Sequence, residues 1–190
     1  MRNLSDDINN QMLRAARAYL GSGVVACDLA GGEVGNPIAK YKAVFAEAKK
    51  LGMPYTIHGG EQLEASNVTG AIELGASRIG HGVAISHNEA AKKMVIDNDI
   101  LLEICPTSNL QTKAVDSLED YPIYEFLDAG IKFNINTDNR TVSGISLIDE
   151  YKLVTKHFGL TETDYKKIYK DAVEKSFAAD DVKGILQKNL

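Results

Sequence analysis

Short apolar, β-branched runs alternate along this chain with longer stretches in which apolar residues recur every three or four positions. The runs at 24–29, 54–58, 77–81, 100–105 and 131–137 predict five β-strands. Helical spacing fills the intervals at 38–51, 68–74, 88–97 and 122–129, and marks a further helix over 5–20 ahead of the first strand. Gly52, Gly75 and Gly130 each stand at the end of a helical stretch, where glycine is a natural stop. Ser86, with Glu89 three residues later, reads as a capping box for the helix over 88–97. After the fifth strand the pattern turns wholly helical, over 146–158, 162–177 and 180–188, with Thr161 and Asp164 placed to cap the middle one.

The β-α alternation predicts a parallel sheet with crossover helices. Segments such as LLEIC and KFNIN read as apolar almost throughout, which is expected of strands covered on both faces. A chain of 190 residues has room for one such core, so residues 1–190 form a single domain. The rhythm leaves two architectures open, a doubly wound open sheet and part of a closed barrel. No G-x-G-x-x-G follows the first strand, so a dinucleotide fold gains no support. Polar groups gather at the predicted strand ends: Asp28, His58 with Glu61, His81, Glu103 with Cys105, and Asp138 with Asn139. Both architectures bind ligands at the C-terminal edge of the strands.

Composition narrows the class. Apolar residues at 44% and charged residues at 25% describe a globular protein, and a net charge of −5 argues against a nucleic-acid groove. No apolar run approaches the ~20 residues of a membrane span. The polar start, MRNLSDDINNQ, has no secretory core, so a cytoplasmic protein without a membrane partner is expected. Cys27 and Cys105 lie inside apolar runs and read as buried free thiols, with no C-x-x-C metal or redox motif.

Three motifs carry the chemistry. In His58-Gly59-Gly60-Glu61 a histidine closes a strand, two glycines turn the backbone, and a glutamate follows. Gly80-His81-Gly82 sets a second histidine at another strand end, and Thr137-Asp138-Asn139 a carboxylate at the last. Singly, each is more often a structural turn or cap. Together, two imidazoles and two carboxylates at one sheet edge suit a metal-dependent hydrolase. His87, at a helix start, and His157, in the last turn of a helix, receive no role.

VVACDLAGGE, YTIHGGE, RIGHGV, LEICPTSN and FNINTDN, in that order, resemble the second half of the adenosine deaminase family. The resemblance implies an α/β fold, an incomplete (β/α)8 TIM barrel holding strands four to eight plus the C-terminal helices. It implies hydrolytic deamination of adenosine to inosine through a zinc-activated water, with adenine or AMP as alternative substrates of related enzymes. By the same resemblance His58 and Asp138 match metal ligands, Glu61 the acid that protonates purine N1, and His81 the histidine that positions the metal-bound water and is also a candidate base to deprotonate it. Gly31 matches a glycine whose backbone N–H meets purine N3. Asn139 stands where many relatives carry an aspartate beside N7, and its amide can donate there unaided.

The family also has a His-x-His metal-binding pair on its first strand, and no His-x-His occurs in these residues. The resemblance therefore implies a truncated form that binds Zn2+ weakly or not at all, with strands 24–29 and 131–137 as open edges. Such a chain is expected to self-associate, or to be complemented by an N-terminal fragment. A non-catalytic, self-associating module is the alternative from a different class.

Overall fold

The computed structural model describes residues 1–62 and 64–188. The chain opens with α1 (Asp6–Ala18), whose N-cap Ser5 accepts the backbone N–H of Ile8. It then alternates β1 (Cys27–Leu29), a 3-10 turn at Ile38–Tyr41 leading into α2 (Lys42–Lys50), β2 (Tyr55–Gly59), α3 (Ala65–Glu73), β3 (Arg78–His81), α4 (Glu89–Asp97), β4 (Leu101–Ile104), α5 (Pro106–Gln111), α6 (Ile123–Asp128) and β5 (Lys132–Ile135). Four helices follow: α7 (Arg140–Ser143), α8 (Leu147–Phe158), α9 (Glu162–Lys175) and α10 (Asp180–Gln187). Reciprocal capping boxes start α8 at Ser146/Asp149 and α9 at Thr161/Asp164.

All strand pairings are parallel and the order is β1-β2-β3-β4-β5. A doubly wound sheet reverses its strand order at a switch point, whereas a (β/α) barrel adds each strand beside the last. The sequential order therefore selects the partial barrel from the two architectures that the sequence left open.

The two faces of the sheet differ more than the sequence suggests. Ile57, Ile79, Leu102 and Phe133 form one continuous row across β2 to β5 and are fully buried in the hydrophobic core. The alternate positions carry His58, Gly80, Glu103 and Asn134 in the neighbouring row. The strands are thus not apolar on both faces. Lys132-Phe133-Asn134-Ile135 alternates partly buried with buried residues, because side chains project to opposite faces with a period of two. The apolar face packs under the helices, and the polar face lines the concave side that will carry the chemistry.

Two short helices, α5 and α7, fall where only loops were expected; Pro106 stands in the first turn of α5, where proline is pre-set for a helix. The cap of α4 is also reassigned. Asn88, not Ser86, accepts the backbone N–H of Ala91. The Ser86 hydroxyl donates instead to Glu125 on α6, 2.6 Å away. The same carboxylate accepts the His87 N–H at 2.8 Å and the Lys92 ammonium at 2.7 Å, so it ties α6 to the start of α4.

Partial burial opposes ionisation of Glu125, but the hydrogen bonds from Lys92, Ser86 and His87 outweigh it and bring its carboxyl from 4.5 down to about 2. A depressed folded-state value means that this contribution is fully present above pH 4.5 and is lost as pH falls toward 2. Glu125→Gln should lower the unfolding free energy at pH 7 by roughly 1–2 kcal/mol, and urea titrations should show that gap closing through the acid range. A gap that stays constant down to pH 2 would refute the assignment.

Candidate metal centre

Strand register places the first candidate ligand. His58 on β2 pairs with Gly80 on β3, and a Cβ at position 80 would stand 2.9 Å from the His58 Nδ1 and 3.1 Å from its Cγ. The imidazole fills the space that this glycine leaves open. Its Nδ1 lies 3.0 Å from Oδ1 and 2.9 Å from Oδ2 of Asp28 on β1. A carboxylate only accepts, so Nδ1 carries the proton and Nε2 keeps its lone pair. Burial disfavours the charged ring, but Asp28 offsets this and holds the His58 pKa above its ordinary value.

His81 closes β3 with a left-handed backbone, φ 63°, and Gly82 follows at φ 75°. Its ring is buried, edge-on to that of His58, with centroids 4.9 Å apart. Burial pushes its pKa below the ordinary histidine value. Its Nε2 lies 3.8 Å from Oε2 of Glu61. Asp138 follows β5, also left-handed at φ 54°, and its Oδ2 accepts the Ser108 hydroxyl at 2.7 Å. One ligand atom from each of His58, His81 and Asp138 lies within 4.8 Å of the others. The His58 imidazole and the Asp138 carboxylate suit a zinc-like cation, with the His81 ring close beside them, so the donors fit the metal that the sequence implied.

Glu61 is positioned through its loop. The backbone N–H groups of Gly60 and Glu61 donate to Oε2 and Oε1 of Glu33, at 3.0 and 2.8 Å, and Asn67 Nδ2 donates to the same buried carboxylate at 2.6 Å. In return, Gln62 Oε1 accepts the backbone N–H of Glu33 and of Val34. The turn needs glycine at position 60, where φ is 73° and a Cβ would meet Val68 Cγ2 at 2.6 Å.

A cleft of about 400 Å³ runs along the concave face, lined by His58, His81 and Asp138 with Arg78, Glu103 and Asn136 among others. Within it Arg78 Nε donates to Glu103 Oε1 at 2.6 Å, and Thr56 donates to the same oxygen at 3.2 Å. Burial and the negative field of Asp138 and Glu103 push the Cys105 thiol far above its usual range, which favours its protonated form here.

Of the six residues singled out from the sequence, His58, His81 and Asp138 converge and Glu61 reaches His81. Gly31 and Asn139 are exposed and stand outside the cleft lining. Gly31 has φ 110°, a conformation open to glycine. Asn139 caps α7, its Oδ1 accepting the Val142 N–H at 3.1 Å. The supporting residues Asp28, Glu33, Ser108 and Asn109 had no assigned part, although DLAGGE and CPTSN contain them. Their only available signal was their place in or shortly after a strand, Asp28 within β1 and the others in the segments that follow β1 and β4.

Gly80→Ala should displace the His58 ring and loosen its Asp28 contact. Zinc affinity of the chain complemented by the N-terminal part of a relative, measured by calorimetric titration, should fall by about 10–100-fold, the usual cost of disturbing a ligand's supporting contact. Unchanged affinity in a folded variant would dissociate Gly80 from the centre.

Comparison with known proteins bears on this geometry. The family model described as adenosine deaminase matches residues 1–190. The chain is 44% identical over 191 residues to an adenosine deaminase of Clostridium perfringens, covering all of this chain and 58% of that protein. It is 46% identical over 184 residues to one from Vibrio atlanticus, covering 96% of this chain and 55% of that protein. It therefore spans somewhat over half the length of these curated relatives. Among solved structures, adenine deaminase from Arthrobacter aurescens superposes with a TM-score of 0.90 at 27% identity, covering 98% of this chain and 57% of that one. An amidohydrolase from Burkholderia ambifaria with bound zinc superposes at 0.87 and 21% identity, over 98% and 53% of the two chains, a likeness of fold alone. These matches run the length of the chain and agree with its sequential parallel strands: the chain belongs to the adenosine deaminase family.

Proposed function

We propose that this chain carries the C-terminal share of a hydrolytic deaminase site for adenosine, in which His58 and Asp138 hold a zinc ion. The observation that carries the reading is the convergence of His58, His81 and Asp138 ligand atoms within 4.8 Å, with Glu61 beside them, in a member of this family. A zinc ion there supplies Lewis acidity that brings the pKa of water toward ~7. Glu61, clasped through its backbone by Glu33, donates a proton to purine N1 and so makes C6 electrophilic. His81 orients the water that adds at C6; of that water's two protons one departs with the amino group as ammonia and the other restores Glu61, which leaves inosine. The Gly31 N–H and the Asn139 amide group serve the N3 and N7 sides of the purine.

The whole activity is proposed for a complete barrel, since the chain spans 58% of the C. perfringens relative. Its complement is an N-terminal fragment that supplies further ligands, and in its absence β1 and β5, the edge strands of the sheet, favour self-association. No helix among the described residues is long and apolar enough to cross a membrane, and Cys27 and Cys105 are free thiols. We assign the protein to the cytoplasm on the free thiols alone, since a reducing compartment keeps cysteines in that state.

Loss of adenosine absorbance should be slow or undetectable with the 190-residue chain alone. It should rise at least 100-fold when the N-terminal part of a relative and zinc are supplied together. Glu61→Gln in the complemented protein should lower kcat by about 10²–10⁴-fold, the range for removing a general acid. Preferential turnover of adenine or AMP would move the assignment to those enzymes, and no turnover of any of the three by the complemented, zinc-loaded protein would sink it.

A further inference from the structure

The ring of His81 has a second contact that the proposed reaction does not use. Its Nδ1 lies 3.0 Å from the side-chain nitrogen of Asn109. The Asn109 Oδ1 accepts the Tyr121 hydroxyl at 2.8 Å, and the Cys105 backbone N–H faces that hydroxyl in turn. Asn109, Tyr121 and His81 are all buried, so each polar group must be satisfied by the next.

The direction of this chain follows from its members. The Cys105 N–H can only donate, which leaves the Tyr121 hydrogen free for Asn109. An amide has one accepting end and one donating end, and Tyr121 engages the accepting end. The donating NH2 therefore faces His81, and a neutral ring nitrogen that accepts a hydrogen bond holds no proton. The arrangement at His58 is the reverse, because the Asp28 carboxylate accepts from Nδ1 there. Two rings 4.9 Å apart are thus addressed by partners of opposite character.

We propose that Asn109, oriented by Tyr121, is a positioning residue that fixes His81 as its Nε2–H tautomer, so that His81 donates a hydrogen bond into the cleft while His58 alone of the two rings offers a lone pair to a cation. This rests on, and sharpens, the deaminase reading, because it makes His81 a donor to the oxygen of the attacking water and not the base that deprotonates it.

The test reads the protons directly and needs no turnover. Long-range 1H–15N correlation spectra of the metal-free chain, labelled at histidine and held at alkaline pH where neutral rings prevail, report which nitrogen of each ring is protonated. The four histidines are assigned by elimination with His58→Gln, His87→Gln and His157→Gln. In the wild-type chain His81 should be protonated at Nε2 only. Asn109→Asp replaces the donor by an acceptor and should move the proton to Nδ1. Tyr121→Phe frees the amide to turn end for end and should populate both tautomers. A wild-type His81 protonated at Nδ1, or a folded Asn109→Asp chain that keeps Nε2–H alone, would overturn the proposal. Lack of deaminase activity would leave these spectra readable, so the two readings fail separately.

Discussion

The His58 imidazole stands where a side chain on the neighbouring strand would otherwise be, and the cleft is organised around that exchange of ring for Cβ. The exchange works only in the observed register, which pairs His58 with Gly80 and Gly80 with Glu103. A slip of one residue would bring Ile79 or His81 opposite His58 and turn the apolar row toward the cleft, because side chains alternate between faces. The row Ile57, Ile79, Leu102 and Phe133, buried under the helices, opposes that slip through the hydrophobic effect. The packing of one face thus fixes the position of a ligand on the other.

A second constraint is backbone strain. His81 and Asp138 are non-glycine residues held in the left-handed region, each at a cost of order 1–3 kcal/mol. Both are restrained from the same short helix. Ser108 and Asn109 of α5 hydrogen-bond Asp138 and His81 respectively. The start of α5 is in turn fastened to α8, where the buried Glu150 accepts the Thr107 N–H at 3.1 Å. Two strained residues distant in sequence therefore share one support, and α8 contributes to the centre without contributing a ligand.

Much of this was legible in the residues alone. The five strands and the longer helices follow from apolar spacing, and the histidines and carboxylates declare themselves by standing at strand ends beside glycines. Other features were not legible, for physical reasons. KFNIN looks apolar as a string, and only the period of two assigns Asn134 to the polar row of the sheet and Phe133 to the core. Ser86 looks like a cap, yet Glu125, far away in sequence, takes its hydroxyl and leaves the cap to Asn88. Asn109 and Tyr121 lack any pattern of their own, since their significance lies in which end of an amide meets which nitrogen.

The distribution of charge gives the centre its sign. Arg78 and Glu103 neutralise one another deep in the cleft, through a 2.6 Å hydrogen bond. Arg140 is exposed at the rim. Asp28, Glu61 and Asp138 then stand around two imidazoles with no buried Lys or Arg hydrogen-bonded to any of them among the described residues. A cation beside His58 meets the Asp138 carboxylate directly, and that opposite charge favours its binding. His58, oriented by Asp28, contributes a neutral lone pair and not another negative charge. The site therefore gains from a divalent ion in two ways, by coordination and by charge balance.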